Sequence, residues 1–419
     1  MEAPISDRIV RVKGQGQPRR RQRGVMSEDK HKRVLFIGAG FSVGLGYPTG
    51  QQLMCRLVEY LQGKKTRSQK QRRFFNTLRS TKANRELAQE FLEIIDQVLK
   101  RYFSVRLQDI KDVNIAEFFT VAQTITETPT LLETQSPKPS GPVIPTKNFF
   151  RSTFYDVLAA ATRTYFYDIC STGDIGRPPA DIASVLKRAK PKSDAIVSFN
   201  WDEEVEVYLT EVRDLDVSYN LPHWKKRGGL LILKPHGSIG WYDVRQGMSN
   251  KEAYFISEDD DRIQAADKRI ISYYELEMPR TLDKKNDYPA LSCPPVITPP
   301  TFAKRFTYQE QHSVWRDILE VCREASEFVF LGYSLPPDDF LTRAAIRSAF
   351  LHRKLQRLCC LIVNNDPKDP LLSFQSLFQN ELDIDRNFLP WKFGSQDASL
   401  QGKIEEKLKK ADLRIVSKA

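Results

Sequence analysis

The stretch Lys32-Arg33-Val34-Leu35-Phe36-Ile37-Gly38-Ala39-Gly40-Phe41-Ser42 decides the fold of this 419-residue chain. It reads as a buried strand that ends in a Gly-Ala-Gly turn, and a helical pattern follows from Gln51 to Leu61. Small residues at such a turn let a phosphate approach the backbone, and free N–H groups at a helix start meet its charge. Turns of this kind also occur for packing alone, so both interpretations stay open at this point.

Composition indicates an ordinary globular protein, with 64 basic against 53 acidic residues and a net charge of +11. Part of the excess lies in Arg19-Arg20-Arg21-Gln22-Arg23, a basic tail that is either a solvated arm or a non-specific contact to nucleic acid. None of the 6 cysteines is spaced as CxxC, so no metal site is predicted from them. The absence of a secretory segment and of a membrane-spanning apolar run predicts a cytoplasmic protein.

Four further apolar runs alternate with helical patterns, and each run ends in polar residues. They end in Asn200-Trp201-Asp202, Pro235-His236-Gly237-Ser238, Gly332-Tyr333-Ser334 and Asn364-Asn365-Asp366. Five strands separated by helices predict an α/β fold with a doubly wound, parallel, Rossmann-like sheet and helical insertions. Because the carboxyl ends of parallel strands line the ligand crevice, these polar residues are candidates for function.

The predicted organisation is a basic disordered tail over 1–31 and one α/β domain over 32–419. The sheet core comes from 32–61, 191–242 and 309–395, with a helical insertion over 62–190 and a loop-rich insertion over 243–308. A Pro-rich loop over 126–146 is either a mobile cover or an exposed linker. The acidic run Ser257-Glu258-Asp259-Asp260-Asp261 lacks the alternating spacing of a calcium loop and favours a solvated loop over a cation site.

Each candidate residue also has a purely structural interpretation when it is taken alone. Asn200 and Asp202 are typical caps for the helix that follows them, and His236 is compatible with a buried core histidine. Ser334 precedes Leu335-Pro336-Pro337 and would shape a turn. Their co-occurrence at successive strand ends favours function over these alternatives.

Taken in order, the strand ends resemble the NAD-binding domain of sirtuins. That family carries a Gly-Ala-Gly-x-Ser turn, an Asn-x-Asp strand end, a His-Gly, a Gly-x-Ser strand end and a later Asn. The matching residues are Gly38 to Ser42, Asn200 to Asp202, His236-Gly237, Gly332 to Ser334 and Asn364. The resemblance implies catalytic roles for Asn200, His236 and Asp202, and a cofactor site made of Gly38, Ala39, Gly40, Ser42, Pro48, Gly332, Ser334 and Asn364.

Two departures from deacylating sirtuins shift the implied activity. The paired CxxC motifs of their zinc module are missing, and their Asp-Phe-Arg is replaced around Pro48-Thr49-Gly50. In both respects the chain resembles the bacterial branch that destroys NAD during antiviral defence. The resemblance implies an NAD⁺ glycohydrolase without a metal, which assembles as a homo-oligomer or with a partner ATPase or Argonaute-like protein. A protein deacylase or ADP-ribosyltransferase and a non-catalytic nucleotide-ribose sensor are the alternatives.

Overall fold

A computed structural model describes the central sheet and helices that pack around it. The described residues are 32–62, 82–127, 154–155, 158–159, 161–162, 165–166, 178–219, 229–243, 270–272, 295–297, 309–337, 339–351, 357–378, 384–410 and 412–414. The basic tail, most of the Pro-rich loop and the acidic run at 257–261 lie outside these residues. No described helix is both long enough and apolar enough to cross a bilayer.

The core of the fold is a sheet of seven parallel strands in the order β10-β9-β8-β1-β2-β4-β3, and the antiparallel strand β11 pairs with β9. The strands are β1 (Arg33–Ile37), β2 (Asp194–Ser198), β3 (Val217–Ser218), β4 (Leu230–Leu233), β8 (Glu327–Leu331), β9 (Arg357–Asn364), β10 (Phe388–Pro390) and β11 (Asp412–Arg414). The chain leaves β1 first toward β2 and β4 and later returns on its other side with β8 and β9. The predicted doubly wound Rossmann-like sheet is therefore confirmed.

The opening strand of the sequence is the centre of this sheet. Arg33 pairs with Asp194 of β2 on one side and with Glu327 of β8 on the other. The last four residues of β1 are fully or nearly fully buried, and the Phe36 ring stacks on Phe330 with centroids 4.4 Å apart. Burial on both faces explains why the run is continuously apolar and does not alternate.

The helices of the described residues include the one predicted from Gln51 to Leu61. They are α1 (Ala39–Val43), α2 (Gly50–Leu61), α3 (Lys82–Val98), α4 (Ile115–Glu127), α5 (Ala180–Arg188), α6 (Glu204–Val207), α7 (Gln309–Glu324), α8 (Phe340–Leu351), α9 (Lys368–Leu377), α10 (Ile384–Asn387) and α11 (Leu400–Leu408). Asn114 precedes α4, and its side-chain oxygen accepts from the Ala116 amide at 2.8 Å. The described residues at 154–155, 158–159, 161–162 and 165–166 are all helical.

A second, antiparallel sheet was not predicted from the sequence. It pairs β5 (Gly237–Asp243) with β6 (Ile270–Ser272) and β7 (Pro295–Ile297). β6 and β7 lie in the insertion interpreted as loop-rich, whereas β5 lies almost entirely in the segment 191–242 that was assigned to the sheet core. Strands of three residues carry little periodicity, and Pro295 is tolerated because it opens an edge strand.

The buried apolar residues form two clusters. One covers the parallel sheet, and the other joins α2, α3 and α4 to the described pieces near 160. Trp201 belongs to the helical cluster although it follows β2, and its ring lies 5.6 Å from that of Phe119. The helical insertion therefore packs directly on the turn that carries Asn200 and Asp202.

Candidate functional site

Five strand ends named by the sequence lie side by side at one edge of the sheet. In the spatial order β9-β8-β1-β2-β4, these ends carry Asn364, Ser334, Gly38, Asn200 and His236. The chain reverses its direction of winding between β1 and β8, which is the switch point where open α/β sheets bind ligands. Residues far apart in the sequence are thus brought to one edge of the sheet.

The glycine turn after β1 packs against the turn after β8, backbone on backbone. The Gly38 amide donates to Leu331 O at 3.0 Å, and the Gly40 amide donates to Gly332 O at 2.8 Å. A Cβ on Gly38 would lie 2.6 Å from Tyr333 Cα, and Gly332 has a φ of +62°. Close approach of two turns explains these glycines. The Gly38 and Gly40 amides therefore already donate hydrogen bonds within the protein, where the sequence had predicted them to bind a pyrophosphate.

Asn200 is held in a single orientation by the glycine turn. Its side-chain nitrogen donates to Gly38 O at 2.9 Å and to Ser42 Oγ at 2.7 Å. The carbonyl of Gly38 requires a donor, so the nitrogen of the amide must face the turn. The amide oxygen then points away from the turn as an acceptor. The Asn200 side chain therefore bonds to the glycine turn, whereas the contact to the following helix comes from Asp202.

Asp202 combines a site contact with a cap contact. Ser42 Oγ donates to its Oδ2 at 2.7 Å, and the Glu204 amide donates to its Oδ1 at 3.3 Å. Burial raises the pKa of Asp202 to about 6, against the lowering effect of the Lys234 cation and of the Ser42 hydrogen bond. Near neutral pH this carboxyl group is present in both ionised and protonated forms.

A buried ion pair ties the Asn200–Asp202 turn to the end of β4. Lys234 Nζ donates to the backbone carbonyl of Asp202 and lies 2.8 Å from Glu206 Oε1. The two charged side chains are 0% and 1% exposed. Neither residue was assigned a role from the sequence, although a lysine directly after the apolar run Leu230–Leu233 indicates a charge that needs a buried partner.

His236 faces the carboxylate of Asp339, a residue that was not predicted to belong to the site. Its Nε2 lies 3.5 Å from Asp339 Oδ2, and both side chains are buried. The Tyr333 hydroxyl donates to the same Oδ2 at 2.7 Å. The imidazole also packs on Phe199, with ring centroids 5.5 Å apart. Asp339 is the last residue of the sequence Gly-Tyr-Ser-Leu-Pro-Pro-x-Asp that begins at Gly332. This run was the sequence feature from which Asp339 could have been assigned to the site.

Three further predicted cofactor residues, Pro48, Ser334 and Asn364, lie outside the hydrogen bonds that link Asn200, Ser42 and Asp202. Ser334 is exposed, and Asn364 and Pro48 are half-buried. The Asn364 side-chain oxygen accepts from the Asn365 amide at 2.7 Å. Within the described ranges, none of the three takes part in the hydrogen bonds around Asn200. Ser334 follows β8 and Asn364 ends β9 at the same sheet edge, whereas Pro48 lies between α1 and α2.

No group of three or more His, Cys, Asp or Glu side chains among the described residues is placed to hold a metal ion. Of the cysteines in that part of the chain, Cys322 and Cys360 are buried, whereas Cys55 and Cys359 are half-buried.

Neither the models of known protein families nor the curated protein sequences match this chain. Among solved structures it is similar to a Sir2 enzyme described for its mechanism and regulation, with 12% identity, a TM-score of 0.35 and coverage of 91% of this chain and 94% of the other. It is also similar to a Sir2 homologue in complex with NAD, with 12% identity, a TM-score of 0.35 and coverage of 90% and 91%. A Sir2 homologue mutant in complex with ADP-ribose gives 10% identity, a TM-score of 0.32 and coverage of 91% of each chain.

Proposed function

We propose that this protein is an NAD⁺ glycohydrolase that releases nicotinamide and ADP-ribose. The observation that carries the proposal is the fixed Asn200 side chain, whose nitrogen is anchored on Gly38 and Ser42 at the switch point. His236 and Asp202 lie at the same sheet edge. The order of the sequence motifs supports the same reading.

The reaction breaks the bond between C1′ of the ribose and the nicotinamide nitrogen. The bonding electrons pass to the pyridinium ring, which leaves as neutral nicotinamide, and the sugar acquires oxocarbenium character. A water oxygen then bonds to C1′ and loses one proton. Positioning this water is the main task of the protein, because a correctly oriented nucleophile avoids most of the entropic cost of the encounter.

The three catalytic candidates divide this work. The Asn200 amide oxygen accepts a hydrogen bond from the water and aims it at C1′. His236 takes up the proton, because a neutral imidazole is a suitable base near neutral pH. Asp202, with a pKa of about 6, can both donate to and accept from the nicotinamide carboxamide.

The direct test is to incubate the purified protein with NAD⁺ and quantify nicotinamide and ADP-ribose. Loss of a positioning group commonly costs on the order of 10²-fold in rate, so Asn200→Ala and His236→Ala should each nearly abolish release. His312→Ala, an exposed histidine of α7, is the matched control and should be unaffected. Circular dichroism and thermal unfolding establish that each variant is folded. Wild-type turnover in either site variant would exclude the assignment.

The same assay separates the alternatives. Nicotinamide release that requires an acetyl-lysine peptide would indicate a deacylase, and transfer of label from NAD⁺ to protein would indicate an ADP-ribosyltransferase. Binding of NAD⁺ without turnover would indicate a nucleotide sensor.

The resemblance to sirtuin-like proteins of antiviral defence also supports a proposed biological role. We propose an effector that depletes NAD during phage infection, assembled as a homo-oligomer or with a partner ATPase or Argonaute-like protein. Cellular NAD measured during infection, with wild-type protein and with Asn200→Ala, tests the role. The mass of the particle in solution tests the assembly.

A further inference from the structure

We propose that Asp339 is a positioning residue for His236, and that the Tyr333 hydroxyl in turn holds the Asp339 carboxylate. This inference rests on the proposed function for its kinetic consequence, whereas the side-chain arrangement itself can be tested without turnover. In this arrangement His236 acts as the base together with Asp339 and Tyr333, and the three residues come from both sides of the switch point.

Asp339 directly precedes α8, a position at which an aspartate usually acts as the helix N-cap. The Arg343 amide donates to Asp339 O at 3.1 Å, which is the first hydrogen bond of α8 and makes Asp339 its N-cap. An N-cap carboxylate usually serves the first amides of its own helix. Here Oδ2 instead accepts from Tyr333 at 2.7 Å and faces His236 Nε2 at 3.5 Å.

The burial of Asp339 also points beyond capping. The residue is fully buried, and an ion removed from water costs several kcal/mol unless charged or hydrogen-bonding groups compensate for it. An N-cap aspartate that is exposed to solvent does not incur this cost of burying a charge. The Tyr333 hydroxyl and the imidazole are two groups that supply compensation.

The contact crosses the sheet edge. Asp339 follows β8 and His236 follows β4, with β1 and β2 between them. Tyr333 and Phe199 bridge this gap, since their rings are stacked with centroids 4.1 Å apart. The turn after β8 folds back through Gly332 and Leu335, both of which have a positive φ. A strained backbone at a non-glycine residue is maintained only where the surrounding structure requires it.

The chemical consequence concerns the tautomer of His236. A carboxylate beside Nε2 accepts a hydrogen bond and therefore favours the neutral imidazole that carries its proton on Nε2. The lone pair on Nδ1 is then the one that takes up a proton. An orienting carboxylate of this kind keeps a histidine in the form a base requires.

The test uses three variants of the full-length protein. Asp339→Asn keeps the shape but removes the charge, and its amide can donate to Nε2 as well as accept from it. Tyr333→Phe removes only the hydroxyl and keeps the ring that stacks on Phe199. Asp194→Asn is the matched control, because Asp194 is a buried aspartate at the start of β2, at the opposite edge of the sheet.

The first measurement needs no catalysis. In protein labelled with ¹⁵N-histidine, the two ring-nitrogen shifts of His236, assigned by their loss in His236→Ala, should show a proton on Nε2. This pattern should weaken in Asp339→Asn and stay unchanged in Asp194→Asn. Identical ring shifts in wild type and Asp339→Asn would overturn the inference even if the protein hydrolyses NAD⁺.

The second measurement is kinetic. Asp339→Asn should lower kcat on the order of 10²-fold with KM changed less than about threefold, and Tyr333→Phe should lower kcat about tenfold. Asp194→Asn should keep wild-type values. An unchanged kcat in Asp339→Asn would refute the inference. A wild-type protein without NADase activity would instead refute the proposed function, and the ring-nitrogen shifts would still decide the role of Asp339.

Discussion

Replacing Asp202 by asparagine should make the protein more stable at alkaline pH. Burial raises the pKa of Asp202 to about 6 from an ordinary value of 3.8, so the folded protein holds this proton more tightly than the unfolded chain does. The free energy of unfolding therefore contains a contribution that is complete below about pH 4 and is lost as the pH rises through about 6. Above that range the folded protein carries the cost of a buried, ionised carboxylate.

The size of the effect follows from the difference between the two pKa values. About 2 pH units at 1.36 kcal/mol each correspond to about 3 kcal/mol. Asparagine resembles protonated aspartic acid in shape and charge, and its side-chain oxygen can still accept from Ser42. Asp202→Asn should therefore exceed the wild type by up to about 3 kcal/mol at pH 8 and by much less at pH 4.5.

Urea unfolding followed by fluorescence at both pH values measures this difference. Asp397→Asn is a control of opposite sign, because a hydrogen bond from the Ser399 side chain lowers the pKa of Asp397. The stability that Asp397 contributes is present at neutral pH and is lost as the pH falls. An Asp202→Asn protein that is less stable than wild type at pH 8, or whose advantage is the same at both pH values, would refute the reasoning.

Two further predictions concern the supports of the site. Gly332→Ala should cost about 3 kcal/mol or more, because its φ is +62° and its Cβ would lie 2.2 Å from a backbone nitrogen of the glycine turn. In the same urea assay Gly46→Ala should cost about 1 kcal/mol, because Gly46 has a φ of +94° but open space around it. Gly402→Ala should be neutral or slightly stabilising, because Gly402 has neither a positive φ nor a close neighbour. Equal losses of stability at all three glycines would contradict this explanation. Lys234→Met should cost about 3–5 kcal/mol because it leaves Glu206 buried without its cation. Adding Glu206→Gln to that variant should restore most of the loss, and additive losses in the double variant would show that the two residues are not coupled.

The order and type of the main elements could be predicted because each is encoded locally. The runs that became β1, β2, β4, β8 and β9 are short, apolar and bounded by polar residues, which indicates strands buried on both faces. Their alternation with helical periods implies parallel pairing, and parallel pairing places all their carboxyl ends on one edge. The position of Asn200 and His236 at that edge follows from the sequence in this way.

The partners of those residues could not be predicted, because side-chain contacts depend on which strands become neighbours. The Asn200 side chain bonds to Gly38, 162 positions away, and a helix cap was an equally good local interpretation. Asp202 fulfils both interpretations at once, with one oxygen on Ser42 and the other on the helix that follows. A polar residue after a strand has several possible partners, and only packing selects among them.

The sequence by itself determined the parallel sheet and the set of polar residues at its edge, because hydrophobic periodicity and strand polarity are properties of short segments. The tertiary structure alone decided that Gly38 and Gly40 serve close packing of two turns, that Lys234 pairs with Glu206 in the interior, and that Asp339 reaches His236. These outcomes depend on the distance between strand ends and on the cost of burying each charge, and both are defined only once the chain has folded.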